Sequence, residues 1–292
     1  MMGLDRGDLP ARVLGTRLLD DFSLELTGKD ADALEEASAV LPPGTRVNVT
    51  FLAHEDFSMR VHAARAVRRL GFRPVPHVSA RRLRSTAELD EFLAALADVG
   101  AAEDICVVAG DPDAPAGPYG DSLAVIRSGL LGKHGVRQVS VTGYPEGHPR
   151  IDRSTLWRAL EDKRAALQQQ SLGMTVITQF GFDPAPVLHW LEEVRDRGID
   201  APVRIGVPGP AGVKRLLRYA RRFGVQSSAG IAQKYGFSLT NLLGTAGPGR
   251  FVDNLGQHLD PVVHGDVLLH FYTFGGIQAT AQWIRDHAMV TR

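Results

Sequence analysis

The sequence has little of what would cross-link, anchor or strongly charge a protein. Its single cysteine, Cys106, excludes a disulfide within the chain and indicates a reducing compartment. The 33 Lys and Arg balance the 33 Asp and Glu, so no net charge favours a nucleic acid or an anionic membrane. No run approaches the about 18 apolar residues of a membrane span, and the first residues lack the apolar centre of a signal peptide. We expect a cytoplasmic protein without nucleic-acid or membrane partners and leave open a homo-oligomer.

Several motifs of known chemistry are also missing. Ten histidines and one cysteine form no HExxH or CxxC motif, so we expect no metal site. The chain has no GxSxG elbow and no GxxxxGK[ST] loop. The stretch 206–212 is glycine-rich, but Pro208 and Pro210 lack the amide donors that a phosphate loop must supply. We interpret it as a tight turn between a strand and a helix.

Runs of strand type alternate with helical patterns, mostly at intervals of about 30 residues. The predicted strands lie at 18–26, 46–52, 73–78, 105–108, 138–142, 174–178, 203–207 and 267–272. Pro74 and Pro76 predict that the third strand is short and irregular. The long interval before the eighth strand predicts extra helices at 211–223, 231–243 and 249–259.

This alternation, over 292 residues, predicts a single-domain (β/α)8 TIM barrel spanning residues 1–292, with an irregular segment at 1–17. A doubly wound open sheet is the alternative. It should carry a phosphate fingerprint after the first strand, and none is present there.

Polar residues fall at the carboxyl tips of successive predicted strands. In a barrel they would converge on one mouth, where this fold keeps its active sites. A lone polar residue at a strand end more often caps a helix or satisfies a loop amide, but six in register favour a site. These residues are Glu25, Thr50, His77, Asp111, Tyr144 and Gln179.

Two of the carboxylates are candidates for acid–base chemistry. Glu25 lies between Leu24 and Leu26, and a barrel interior would desolvate its carboxyl and raise its pKa, as a general acid requires. A salt-bridged structural carboxylate is the alternative. Asp111 follows Gly110, which lets backbone or ligand approach closely; its alternative role is an Asx turn before Pro112.

The strand-end motifs together resemble one known family. Tyr-Pro-Glu-Gly-His-Pro at 144–149 and Thr-Gln-Phe at 178–180 are specific, and Gly110-Asp111 and His270-Phe271-Tyr272 keep the same order. From about residue 20 onward, their order and spacing resemble the methylenetetrahydrofolate reductase family. The resemblance implies a flavoprotein of one-carbon metabolism and methionine biosynthesis. Such an enzyme reduces 5,10-methylenetetrahydrofolate to 5-methyltetrahydrofolate, with hydride passing from NADH or NADPH through FAD.

The resemblance also implies roles for particular residues. Glu25 would protonate the bridging nitrogen of the folate, and Asp111 would hold the amino edge of the pterin beside the flavin. Gln179, with Phe180, would bind the folate. The residues that would contact FAD are Thr50, His77, Gly110, Tyr119, Gly120, Asp121, Ser122, Tyr144, His148, and Lys163 or Gln168.

Three departures from the family pattern bear on the cofactor. Ala109 replaces an arginine that often precedes the aspartate, Gly181 replaces an aromatic after Thr-Gln-Phe, and Val213 stands where a stacking aromatic is expected. The lost arginine favours a second hypothesis, a flavin-free tetrahydrofolate-dependent methyltransferase or demethylase on the same barrel. A third hypothesis is a catalytically silent folate-binding protein.

Overall fold

The computed structural model describes residues 18–52, 55–223 and 245–291. Eight parallel strands close a barrel in which each strand neighbours the next along the chain and the last neighbours the first. The predicted (β/α)8 barrel is therefore confirmed. Its strands are β1 (Phe22–Leu26), β2 (Arg46–Val49), β3 (Arg73–Ser79), β4 (Asp104–Val108), β5 (Gln138–Gly143), β6 (Gly173–Thr178), β7 (Val203–Pro208) and β10 (Val267–Tyr272).

Helices follow the strands along the chain. They are α1 (Ala31–Ala37), α2 (Phe57–Arg69), α3 (Thr86–Asp98), α4 (Ser122–Arg127), α5 (Leu130–Lys133), α6 (Arg153–Gln169), α7 (Pro184–Asp196), α8 (Val213–Phe223), α9 (Gly249–His258), α10 (Pro261–His264) and α11 (Ile277–Thr291). Two-residue strands β8 (Ala211–Gly212) and β9 (Thr245–Ala246) pair antiparallel. The segments 1–17 and 231–243, for which we predicted irregular and helical structure, lie outside the described residues.

Local sequence signals account for several of the helix starts. The Ser85 side chain accepts a hydrogen bond from the Glu88 amide at 3.1 Å, and Asp183 accepts one from the Ala185 amide at 3.1 Å. Each satisfies an amide that the first helical turn leaves without a partner. Pro184 then occupies the first position of α7, where its missing N–H costs nothing.

The prediction of a short, irregular third strand is wrong, because β3 runs regularly over seven residues. The Arg73 amide donates to the carbonyl of Thr45, the residue just before β2. Alternate amides of a strand point to the same neighbouring strand. Pro74 and Pro76 therefore face β4, whose register with β3 begins only at His77. The two prolines remove amides where no ladder has yet formed.

Two compact units can be distinguished, and the first consists of residues 23–143 and 153–177. Inside it Val75, Cys106 and Ile177 form an apolar cluster. At the amino ends of its strands Asp104, only 2% exposed, accepts from Arg46 at 2.8 Å and lies 2.9 Å from the Arg73 guanidinium. Buried charges are normally paired in this way.

The second unit contains residues 144–152 and the chain from residue 178 onward, together with the segment that ends at Phe22. Here the nearly buried Arg204, at the start of β7, donates to both carboxylate oxygens of Asp21 at 3.0 Å. In neither unit do the described residues include a helix that is long and apolar enough to cross a membrane.

Candidate functional site

The carboxyl ends of β1 to β3 bring three predicted site residues into one unit. Glu25 is half-buried and lies in register with Asn48 of β2. The Asn48 amide donates to Nε2 of His77 at 3.1 Å, so this nitrogen acts as the acceptor in the arrangement seen. Both the amide and the hydroxyl of Thr50 donate to the Leu26 carbonyl, at 2.8 and 3.1 Å. Thr50 thus joins the ends of β1 and β2.

Two side chains of opposite charge, Glu25 and Lys163, act electrostatically on the buried thiol of Cys106. Burial raises the pKa of the Cys106 thiol, and the negative charge of Glu25 raises it further, whereas Lys163 opposes the shift. Burial likewise lowers the pKa of the Lys163 amine, while Asp121 and Cys106 favour its charged form. An acid on β1 and a base on α6 therefore lie within electrostatic range of the same thiol.

Lys163 and Gln168, the two residues offered for the same contact to FAD, differ in burial. Lys163 is 8% exposed and belongs to the buried face of α6, whereas Gln168 is exposed. A buried cation can hold a phosphate or a polar ring edge, because water does not screen it. Lys163 is accordingly the better candidate of the two.

The turn after β4 depends on a glycine. Gly110 has a φ of +98°, and a Cβ added there would overlap the Ser79 hydroxyl. Asp111 follows with its side chain 79% exposed, 3.8 Å from the Arg82 guanidinium. Ala109, which replaces the arginine of the family pattern, contributes a carbonyl that accepts from the Arg81 amide at 2.9 Å.

Arg81 shapes the loop at 112–121, and the sequence reasoning missed it. Its side chain donates to the Gly120 carbonyl at 2.7 Å and to the Pro112 carbonyl at 3.1 Å. The signal that could have revealed it is a pair of arginines, Arg81 and Arg82, directly after the third strand. At that place in a barrel a side chain faces the loops of the active-site end.

Two buried hydroxyl groups of the described residues have no hydrogen-bond partner, one at the end of β3 and one in the loop at 112–121. Among the residues that the structure describes, the buried hydroxyls of Ser79 and Tyr119 make no hydrogen bond. Asp121 accepts from the Ala124 amide at 2.9 Å and so caps α4, while Gly120 is open and Ser122 is buried. Because a buried unpaired hydroxyl costs free energy, such groups are suited to a polar ligand.

In the second unit the Tyr-Pro-Glu-Gly-His-Pro motif folds back on itself. The rings of Tyr144 and His148 meet edge to face with centroids 5.3 Å apart. Nδ1 of His148 accepts from the Arg150 amide at 3.2 Å. Burial, and then the charge of Arg150, lower the pKa of His148, which favours a neutral imidazole near neutral pH.

In the Thr-Gln-Phe motif two side chains, Thr178 and Phe180, are buried and Gln179 is half-buried. Thr178 is fully buried, and its hydroxyl accepts from the Gly206 amide at 2.8 Å. The half-buried Gln179 uses its Oε1 only to accept from the following amide of Phe180 at 3.1 Å. Within the described part of the chain its Nε2 group contacts no acceptor, so this amide can donate to a ligand.

Aromatic rings surround Phe180, and sequence reasoning missed part of this set. Its ring centroid lies 5.4 Å from Tyr272 and 5.0 Å from Phe274. Phe274 in turn stacks on Tyr219 of α8 at 4.1 Å. Val213, at the start of α8, is buried, and the aromatic residue that this helix contributes to the set is Tyr219.

Gly181 is explained by its neighbour. A Cβ at Gly181 would lie 3.0 Å from the carboxylate of Glu146. A side chain at this position would therefore require the Glu146 carboxylate to move slightly.

The closed parallel barrel is the architecture of (β/α)8 enzymes, which keep their active sites at the carboxyl ends of the strands. A family model described as methylenetetrahydrofolate reductase matches residues 31–284. The chain belongs to the methylenetetrahydrofolate reductase family.

One solved structure is similar in outline. The dihydropteroate synthase (FolP) of Thermus thermophilus has a TM-score of 0.47 and 18% identity, over 91% of this chain and 93% of that one.

Among the described residues no group of three or more His, Cys, Asp or Glu could hold a metal ion.

Proposed function

We propose that the protein is an FAD-dependent reductase that converts 5,10-methylenetetrahydrofolate to 5-methyltetrahydrofolate at the expense of NADH or NADPH. Membership of the family supports folate-related one-carbon chemistry on this barrel. The observation that carries the flavin is the unpartnered Tyr119 hydroxyl, buried in the loop that follows β4.

The groups near this loop fit a large, polar, phosphate-bearing cofactor. Tyr119 offers a donor that the described residues leave unused, Lys163 offers a buried positive charge, and Gly120 leaves open space. Arg82, close to Asp111, offers a second cation where Ala109 has removed one. FAD, when bound, would carry two electrons from the nicotinamide to the folate.

Glu25 would act as the general acid toward the substrate. Its carboxyl would donate a proton to the bridging nitrogen of the folate, and the carbon–nitrogen bond at that atom would then break. The one-carbon unit becomes an electrophilic iminium that can accept hydride. A half-buried carboxyl suits this role better than an exposed one.

Asp111 and Gln179 would position the folate without moving protons. Asp111, exposed after Gly110, would accept from the amino edge of the pterin, while the unused Nε2 of Gln179 would donate to a folate acceptor. The bond to the Asp111 carboxylate would be charge-assisted, and the two bonds together would orient the planar pterin. The remaining contacts to the flavin are assigned to Thr50, His77, Tyr144 and His148.

Ala109 supports a second candidate, a flavin-free methyltransferase or demethylase that uses tetrahydrofolate. The pair between Asp111 and Arg82 would then serve the pterin alone. In this case the Tyr119 hydroxyl and the Lys163 amine would have no phosphate ligand.

The two candidates differ in one spectrum. Purified protein, as isolated and after incubation with FAD, should show the flavin absorbance bands, and anaerobic NADH or NADPH should bleach them. Subsequent 5,10-methylenetetrahydrofolate should restore the colour as it is reduced. A protein that binds no FAD yet transfers a methyl group would overturn the reductase and support the alternative.

A further inference from the structure

Asn48 is a buried polar side chain that the sequence reasoning missed. It is 1% exposed and lies on β2, in register with Glu25 of β1. An amide in such a place costs free energy unless its groups are hydrogen-bonded. A leucine would fill nearly the same space without that cost, so the contact that the Asn48 amide makes is the feature to explain.

The amide contacts His77 of β3. Nδ2 of Asn48 lies 3.1 Å from Nε2 of His77. An amide nitrogen only donates, so Nε2 is the acceptor, and a neutral imidazole that accepts at Nε2 carries its proton on Nδ1. Asn48 therefore selects one of the two tautomers of His77 and occupies the one basic nitrogen of that ring.

The strand register places one titratable group on either side of this pair. Glu25 is next to Asn48, and Cys106 of β4 is next to His77. Burial raises the pKa of the Cys106 thiol, so this side holds an uncharged group near neutral pH. The buried amine of Lys163 acts on the same thiol, and its positive charge would oppose a second one nearby. Of these groups, only the Glu25 carboxylate could stabilise an imidazolium.

An acid and a base in one site compete for the same proton. An imidazole ordinarily binds a proton more tightly than a carboxylate does. If the ring of His77 kept a free lone pair, the proton of Glu25 could pass to it, and the resulting carboxylate and imidazolium would stabilise each other. Such an ion pair would leave no acid for the folate.

We propose that Asn48 is a positioning residue that holds His77 as the neutral Nδ1–H tautomer and thereby keeps the proton of Glu25 available for the folate. This inference rests on the proposed function, since it takes Glu25 as the general acid. The buried amide then has a role that an apolar residue of the same size cannot fill, because only a donor can occupy the lone pair of Nε2.

Nitrogen NMR of the protein labelled with ¹⁵N-histidine reads the tautomer directly. The signals that disappear in His77→Gln assign the ring. We expect wild type near neutral pH to carry the proton on Nδ1, with Nε2 as an unprotonated acceptor. Asn48→Asp keeps the shape but replaces the donor by an acceptor, so Nε2 should become protonated. Asn254→Asp makes the same chemical change at an exposed position of α9 and should leave the His77 signals unchanged.

Asn48→Leu tests the effect on the acid, because it removes the donor at nearly constant volume. Its kcat for the folate should fall about tenfold with KM nearly unchanged, and the alkaline limb of its kcat–pH profile should move about one pH unit lower. The limb moves down because an imidazolium stabilises the carboxylate form of Glu25, so the acid is lost sooner as the pH rises. Adding His77→Gln to Asn48→Leu removes the competing base and should return the limb to its wild-type position.

The outcomes separate this inference from the function on which it rests. An Nε2–H tautomer in wild type would overturn the inference, and this spectrum needs neither turnover nor a folded variant. The Nδ1–H tautomer with an unshifted limb in Asn48→Leu would also overturn it, because the amide would then orient the ring without protecting the acid. No turnover of 5,10-methylenetetrahydrofolate by wild type would instead contradict the proposed function.

Discussion

The two ends of the strands in the first unit differ in how their polar groups are satisfied. At the amino ends Asp104 lies between Arg46 and Arg73, with both ion pairs below 3 Å. At the carboxyl ends and in the loop that follows, the hydroxyls of Ser79 and Tyr119 are buried without partners in the described structure. We propose from this contrast that the ion pairs at one end serve stability and that the hydroxyls at the other end are available to a ligand.

The second unit repeats the contrast. Arg204, at the start of β7, is held by both oxygens of Asp21 at 3.0 Å. Gln179, directly after β6, spends its carbonyl on its own neighbour and leaves its amide unused. Substitutions at the two ends should therefore act on different quantities, stability at one and ligand binding or turnover at the other.

The largest effect is expected for Glu25→Gln, at a carboxyl end. Without an acidic proton the bridging nitrogen of the folate is not protonated, and folate turnover should fall by about 10²- to 10⁴-fold. Reduction of bound flavin by nicotinamide, followed by absorbance, should continue. Glu36→Gln, an exposed change on α1, is the matched control and should turn over folate normally. Intact turnover in Glu25→Gln would refute the acid role.

Asp104→Asn, at an amino end, should instead unfold the protein more easily. Two arginines would lose the buried charge between them, at a cost of about 3 kcal/mol in the free energy of unfolding. Urea titration measures this change. Glu103→Gln should cost less than about 1 kcal/mol, because this neighbour is 52% exposed and lies 3.9 Å from Arg73. A large loss of turnover per folded molecule in Asp104→Asn would contradict the contrast between the two ends of the strands.

Lys163→Met should separate stability from cofactor binding. Burial lowers the pKa of Lys163 in the folded protein, so between that pKa and its ordinary value the unfolded chain binds more protons and stability rises with pH. The apolar side chain should remove this rise and stabilise the apoprotein by about 1 kcal/mol near neutral pH.

The same variant should bind FAD about tenfold more weakly, equivalent to about 1.4 kcal/mol. Thermal unfolding and FAD titration measure the two effects. Arg158→Met, exposed on the same helix, should change neither. Unchanged FAD affinity in Lys163→Met would remove the lysine from the cofactor site.

The smallest effects come from two tyrosine hydroxyls. Tyr119→Phe removes a buried hydroxyl without a partner in the described structure. It should keep or slightly raise the stability of the apoprotein while FAD affinity falls severalfold. Tyr272→Phe removes a hydroxyl that donates to the Thr178 carbonyl at 3.0 Å and should cost about 1 kcal/mol of stability. Equal losses of stability in both variants would contradict the contrast.

Much of the fold could be predicted because its signals are local. The eight strands, the Ser85 and Asp183 caps and the placement of Glu25 near the end of β1 follow from periodicity and capping chemistry. The length of β3 could not be predicted in this way. Whether Pro74 breaks a ladder depends on which neighbour its missing amide faces.

The candidate site was predicted only in part. Strand-end position pointed to His77 and Gln179, but their partners, Asn48 for one and the adjacent Phe180 amide for the other, are set by packing. Arg81 and the stacked pair of Tyr219 and Phe274 went unnoticed. Their contacts join residues far apart in the chain, and no spacing rule relates them.

By itself the sequence determined the alternation of strands and helices, and with it the residues at each strand end, because periodicity and capping act within a few neighbours along the chain. Only the tertiary structure decided which polar groups are satisfied. Asp104 is paired while the Tyr119 hydroxyl is not, because burial and hydrogen bonding depend on groups that the closed barrel brings together from distant positions.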